Sequence, residues 1–463
     1  MKKSLVLLSV VALLAVACNK KESNTDGNKA EEYASVNKCI NGVMQTYYLW
    51  NKRVPRYRNA DTRNPEEYFE SLLYADDRWS FIVDDKDEYL AESEGTPYSL
   101  GYSPQFRYYN DKKNVMILVE YVYPGSPADR AGLKRGDIIL EINGEEMNVD
   151  NYYDLYCKED VTYLLGTYDA ENNQLHDAET ISLKAEIIQA DPSIYDTIFY
   201  VGGKPVGYYV FTEFTSGDTY HATIDAIFDR FKAAGVKDLI LDLRYNGGGE
   251  ESTELRLASA IAPASVVENH EVYEHIIYNA ELEEYFRSID EGLVDVFPDN
   301  PHNADMENLY VLGTNGTASA SESVTIALMP YMNVILIGEK TYGKYTGMFY
   351  FYDSGDDADL KDLRNWLLLP VCFKYANAQG FTDFVDGLEP DYYVEDDLLG
   401  CYQFGDLNDP MLATAISVIS GDSNPLSAKS AYKNPFPYLG RNKSVFKNNR
   451  ISKIPKISAV SQN

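Results

Sequence analysis

A chain of 463 residues, 45% hydrophobic and 24% charged, has the make-up of a soluble globular protein with two to four domains. Its net charge of −31 excludes nucleic acid as a partner, because phosphate contacts need clustered Lys and Arg. Thirty-nine tyrosines suit extended peptide-binding surfaces or strand-rich edges.

Met1-Lys2-Lys3 followed by an apolar run from Ser4 to Ala17 reads as a signal peptide over residues 1–17, too short to span a bilayer. Cys18 stands directly after small residues and resembles a lipoprotein acceptor cysteine. Ala15 occupies the position where a large apolar residue is usual, and simple cleavage to a soluble secreted form is the alternative. Lipidation at Cys18 implies a membrane partner through a lipid anchor, in a bacterial cell envelope facing the periplasm or the surface. Residues 18–32 are polar and read as a tether. Cys39, Cys157, Cys372 and Cys401 are scattered without C-x-x-C spacing; Cys372 could pair with Cys401, or all four could stay free.

Residues 33–96 read as helical. Ile40, Val43, Met44 and Tyr47 recur at helical spacing, and Asn64-Pro65-Glu66-Glu67 is a helix start with a cap, a first-position proline and acids on the positive end. Residues 97–190 read as strands, with Asn143-Gly144 a hairpin turn and Ser126-Pro127 opening a short helix that Gly132 ends. Over 195–420 strand and helix alternate. Val206–Phe214 reads as a strand, Tyr220–Ala234 as an amphipathic helix closed by Gly235, and about 251–262 as a helix. An acidic insertion rich in Tyr and Glu covers about 267–306, and Asp409–Ile419 is the last helix. From 421 to 463 the chain is basic and reads as a disordered tail.

Two stretches in the 195–420 region carry chemistry. The strand Lys237–Arg244 runs into Tyr245-Asn246-Gly247-Gly248-Gly249, where backbone can approach a ligand and leave N–H groups pointing at it. The small-residue run Thr314–Ser323 lies between an apolar strand and a helix-length apolar segment. A helix N-terminus suits a nucleophile whose product is an oxyanion, with the N–H of the next residue, Ala320, as one donor. Lys344 lies 25 positions past Ser319, just beyond the next strand. A lysine serves as general base only when burial or nearby positive charge favours its neutral form. Taken singly, the small residues could be an ordinary tight turn and Lys344 a surface charge.

Other signals carry less. His270 and His275 are five apart, not the four that two zinc ligands on one helix face require, and no G-x-S-x-G motif accompanies the five histidines. Ser444-Val445-Phe446-Lys447 fits S-x-x-K but has no strand or helix around it.

Four pieces together resemble the C-terminal processing (tail-specific) protease family, serine peptidases with a Ser/Lys pair. Pro124–Ala128 with Ala131–Asp137 is similar to that family's PDZ domain. Leu241–Gly249 is similar to its glycine loop, Ala318–Glu322 to its nucleophile turn, and Thr341–Lys344 to its lysine segment. The resemblance spans about residues 33–420. It implies a mixed α/β multidomain chain: an N-terminal helical segment (33–96), a PDZ-like domain (97–190) and a crotonase/ClpP-like catalytic domain (195–420). It further implies Ser319 as nucleophile, Lys344 as base, Ala320 and Gly248 as oxyanion donors, and polypeptides with exposed C-termini as substrates, without metal or cofactor. Leu100, Gly101 and Tyr102 form the expected carboxylate loop of the PDZ-like domain. The chain departs from the pattern at Met348, where many members carry a glutamine that orients the lysine. Either Glu322 or Tyr345 positions Lys344 instead, or the chain is a peptide-binding lipoprotein with weak or no activity.

Overall fold

The structure, a computed structural model, describes residues 25–57, 60–93, 95–109, 113–422, 434–439 and 451–452. The expected leader over 1–17, Cys18 and the Ser444–Lys447 motif lie outside the described residues.

Helix α1 (Thr25–Tyr47) begins inside the stretch expected to be a tether and buries Val36, Ile40, Val43 and Met44, one stripe at spacings of three and four. Helix α2 (Pro65–Glu70) starts as its sequence predicts: Asn64 Oδ1 accepts from the Glu66 N–H at 2.9 Å. Strand β1 (Phe81–Val83) and helix α3 (Lys86–Ser93) complete the N-terminal part.

The second part runs β2 (Tyr98–Ser99), β3 (Tyr102–Tyr109), β4 (Asn114–Val122), α4 (Pro127–Arg130), β5 (Ile138–Ile142) and β6 (Glu145–Glu146). Then follow α5 (Tyr152–Tyr156), β7 (Asp160–Asp169), β8 (Gln174–Lys184) and β9 (Glu186–Ile187). Its antiparallel sheet has the order β3-β4-β5-β7-β8. Asn143 and Gly144 both have positive φ, 56° and 76°, as a two-residue primed turn between β5 and β6 requires.

The third part continues through β10 (Ser193–Val201), β11 (Lys204–Phe211), α6 (Asp218–Ala234), β12 (Asp238–Asp242), α7 (Glu251–Ile261) and α8 (Ala264–Glu268). It goes on through β13 (Val272–Tyr278), α9 (Ala280–Ile289), β14 (Val294–Val296), β15 (Asn308–Gly313), α10 (Ala320–Leu328) and β16 (Asn333–Gly338). Last come β17 (Thr346–Phe349), β18 (Leu367–Leu369), β19 (Val371–Asn377), β20 (Tyr392–Tyr393), α11 (Pro410–Ser420) and β21 (Ile451–Ser452). One sheet has the order β10-β11-β12-β15-β16-β20, parallel from β11 onward, and its apolar strands are covered by helices on both faces. A second sheet has the order β14-β13-β19-β17-β21. The acidic stretch expected as an insertion is therefore structural: β13 pairs with β19 and helps to wall the site.

A buried ionic cluster joins the second and third parts. Arg135, beside the Gly136 turn, donates to Asp396 (2.9 Å), to Tyr245 and to the carbonyl of Glu120 (3.2 Å). Arg244, at the end of β12, donates to Asp242 (2.7 Å), Asp396 (3.0 Å) and Asp409 (2.8 Å). Burial alone would raise the Asp396 carboxyl, but Arg135 and Arg244 outweigh it and hold the group down at about 2. A carboxyl depressed from its unfolded value of about 4 contributes stability that is complete above that value and disappears as pH falls toward 2. Urea unfolding should therefore show a loss on the order of 2 kcal/mol across pH 4 to 2. Asp396→Asn should flatten that window.

None of Cys39, Cys157, Cys372 and Cys401 is in a disulfide, so the considered Cys372–Cys401 bridge does not form; Cys372 is buried in β19 and Cys401 is exposed. No helix among the described residues is long and apolar enough to cross a membrane. The tail expected to be disordered contains an ordered stretch at 434–439, where Phe436 is buried.

Candidate active site

Strand β15 delivers the chain to Thr314–Ala318, and that turn is tied to the end of β12. Thr317 Oγ1 donates to the Leu243 carbonyl (2.8 Å) and accepts from the Thr314 N–H (2.9 Å), while Thr314 Oγ1 donates to the Arg244 carbonyl. Asn246 then joins the glycine loop to the turn. Its carbonyl accepts from the Ala318 N–H and from Ser321 Oγ (both 3.0 Å), and its Nδ2 donates to the Phe211 carbonyl (3.0 Å). Small residues and hydroxyls dominate the run because every polar group in this dry turn needs a partner at close range.

Ser319 is the cap of α10 and has φ 59° and ψ −116°, a region that side-chain-bearing residues rarely occupy. Its neighbours hold it there: the Ser319 N–H donates to Glu322 Oε2 (3.0 Å), and the Ser319 carbonyl accepts from the Ser323 N–H (2.8 Å). The serine is fully buried, and Ala320 supplies the first N–H of the helix.

Lys344 is only 1% exposed. Its N–H donates to the same Glu322 Oε2 at 2.8 Å, so the main-chain nitrogens of Ser319 and Lys344 lie within about 6 Å of each other. The second carboxylate oxygen accepts from the Gly343 N–H (2.7 Å) and from Thr341 Oγ1. Tyr375, from β19, closes the arrangement; its hydroxyl lies 2.7 Å from the Lys344 carbonyl and 3.1 Å from that of Ser319, donating between them. Burial raises the Glu322 carboxyl above its ordinary value, while the four donors hold it down. Glu322 thus positions Lys344 through its backbone, whereas the ring of Tyr345 packs against Trp79 and Phe384. Met348 Sδ, a weak acceptor, lies 4.0 Å from Lys344 Nζ.

Gly248 lies against the serine: a Cβ built on it would sit 2.8 Å from the Ser319 Cβ and 3.1 Å from the Ala320 nitrogen. Its φ is 109°, which only glycine adopts freely. Its N–H donates to Asn246 Oδ1 at 2.9 Å, so of the two expected oxyanion donors this one is engaged inside its own turn. Gly248→Ala should lower activity on an unfolded polypeptide by at least about 100-fold, the scale of a lost oxyanion contact, with the fold retained by circular dichroism.

Leu100 and Tyr102 are buried in the second part's core, and Tyr102 shares a 3.0 Å contact with the hydroxyl of Tyr163. The Gly101 N–H donates to Ser99 Oγ (3.0 Å), and its carbonyl accepts from Ser126 Oγ (3.1 Å). These three residues stand at the start of β3, not at Ser319. Among the described residues, no group of three or more His, Cys, Asp or Glu is placed to hold a metal.

Asn246, Thr341 and Tyr375 belong to the site without being predicted from the sequence. Asn246 and Thr341 lie inside the glycine-loop and lysine motifs, and their short polar side chains are the available signal. Tyr375, 31 positions beyond Lys344, has none.

Comparison with known proteins gives three family matches: Peptidase family S41 over residues 205–394, the Peptidase S41 N-terminal domain over 35–81, and the PDZ domain over 118–156. A chloroplastic C-terminal processing peptidase of Tetradesmus obliquus is 26% identical over 68% of this chain and 66% of its own length. A CtpA-like serine protease of Staphylococcus aureus (strain MRSA252) is 25% identical over 74% of this chain and 62% of its own length. The chain thus spans less than two thirds of the length of these curated relatives. A crystal structure of a candidate S41 protease from Bacteroides fragilis NCTC 9343 superimposes with a TM-score of 0.68 at 27% identity, covering 82% of this chain and 97% of that one.

Proposed function

This chain is a member of the C-terminal processing protease family, and from that premise we propose that it is a serine endopeptidase cutting polypeptides near their C-termini. In this reading Lys344 takes the proton of Ser319 Oγ and the alkoxide attacks the scissile carbonyl; the C–N bond then breaks as Lys344 returns the proton to the leaving amine, and water hydrolyses the acyl-enzyme. A buried amine lacks the hydration that favours its charged form, which suits the role of base. The developing oxyanion is held by the Ala320 N–H at the positive end of α10, with Gly248 as second donor once its N–H is shared with Asn246.

The observation that carries this reading is the Glu322 carboxylate, which clasps the backbone of Ser319 and Lys344 through one oxygen. An inactive peptide-binding protein would have no use for a serine held at positive φ beside a buried lysine. The PDZ-like domain would capture the polypeptide end, and Cys18 would carry a lipid anchor to the cell envelope. Incubation with a serine-reactive fluorophosphonate should add one adduct, mapped by mass spectrometry to Ser319 and absent in Lys344→Met. An adduct-free protein that still binds peptide would favour the silent reading.

A further inference from the structure

Two strand edges lie where an incoming polypeptide would add, and each is already met by this chain's own C-terminal segment. In the PDZ-like domain, β3 is an edge strand, paired on one side with β4. Along its other side runs the stretch 434–439. The Tyr108 N–H donates to the Pro437 carbonyl (2.9 Å), the Leu439 N–H donates to the Phe106 carbonyl (3.1 Å), and Arg107 pairs with Tyr438 in an antiparallel bridge. Arg107 also donates to the Phe436 carbonyl (3.0 Å) and lies 5.3 Å from the centre of the Tyr438 ring. Leu439 packs against the core that holds Phe106, as do Tyr152 and Tyr156 of α5, whose rings meet that of Phe106. Strand addition of this kind is how an extended peptide docks on an open sheet edge.

The second edge is β17. Met348 pairs with Ile451 and Phe349 with Ser452 in parallel register. β21 therefore runs one strand spacing, about 4.8 Å, from the strand whose Met348 sulfur touches the Lys344 amine. Charge favours the same occupant. Residues 423–463 carry eight Lys and Arg and no Asp or Glu, on a chain of net charge −31.

We propose that the C-terminal segment is an intramolecular ligand, filling in cis the edge of β3 in the PDZ-like domain and the edge of β17 beside Lys344, so that a polypeptide must displace it. The competition part rests on the protease reading; the occupancy part does not. A tethered segment acts at an effective concentration of about 1 mM, so it suppresses a free peptide of micromolar affinity strongly without high affinity of its own.

The test compares the full chain with a chain ending at residue 433, using a fluorescein-labelled peptide of residues 434–442 as probe. The shortened chain should bind the probe saturably, and the full chain at least about fivefold more weakly. Amide exchange over 103–109 should speed up on shortening and slow again when the peptide is added. Equal binding by both chains, or unchanged exchange in β3, overturns the proposal. Because Phe436 is buried, Leu439→Pro in the full chain serves as a second variant: it removes one strand bond and should show the same faster exchange. On an unfolded substrate, Leu439→Pro should lower KM several-fold with kcat unchanged. An unmoved KM in a protein whose cleavage needs Ser319 refutes the competition and leaves the protease reading standing. Cleavage that survives Ser319→Ala overturns the protease reading, while the exchange data still decide occupancy.

Discussion

Ser319→Ala is expected to abolish turnover of an unfolded polypeptide, lowering kcat by at least about 10,000-fold with KM little changed. In the proposed mechanism this hydroxyl forms the covalent bond, and the other hydroxyls of the turn are engaged elsewhere: Ser321 Oγ with the Asn246 carbonyl, and Ser323 Oγ with Glu274. Lys344→Met removes the proposed base while filling a similar buried volume and should cost about as much. The two substitutions together should cost little more than either alone, because the pair acts as one unit. Single-turnover kinetics on a labelled, unstructured substrate reads all three. Lys344→Met within about tenfold of the parent would move the base elsewhere.

Glu322→Gln is expected to be nearly as damaging, despite its equal size. Both carboxylate oxygens only accept, and each accepts two donors: Ser319 and Lys344 on Oε2, Thr341 and Gly343 on Oε1. A glutamine must turn its NH2 toward one of these pairs and so sets donor against donor in a buried site. Each buried donor left unsatisfied costs about 1–3 kcal/mol, so a loss on the order of 3 kcal/mol in unfolding free energy is expected. Activity should fall more than stability, since the clasp also sets where the serine and lysine backbones stand relative to each other. Urea unfolding and kcat on the same preparation separate the two effects. A Gln variant with parental kcat would show that Tyr375 and the turn suffice to hold the site.

Local signals in the sequence were read well because their causes are local. The Asn64-Pro65 start of α2, the Ser126 cap of α4 and the αL Gly235 at the end of α6 each follow from the residues beside them. The helix that starts inside the expected tether and the ordered stretch inside the expected tail escape a local reading for the same reason. Polar, low-complexity sequence does not reveal that Thr25 onward joins α1, or that 434–439 finds a ready-made strand edge. The acidic stretch around 267–306 was read from its charge, whereas its alternate apolar residues fit β13 into the second sheet.

By itself the sequence determined many of the helices and strands, the glycine loop, the serine turn and the lysine as separate pieces with a family resemblance. Periodicity and turn chemistry act over a few residues, and that reach is enough to specify each piece. Only the tertiary structure decided how the pieces meet: Glu322 reaching 22 positions to the Lys344 N–H, Asn246 holding Ser321 from 75 away, Tyr375 spanning both backbones from another sheet. Such bonds form only after folding has excluded water and closed the intervening loops, so a carboxylate or tyrosine carries no mark in the linear chain of which distant N–H or carbonyl it will meet.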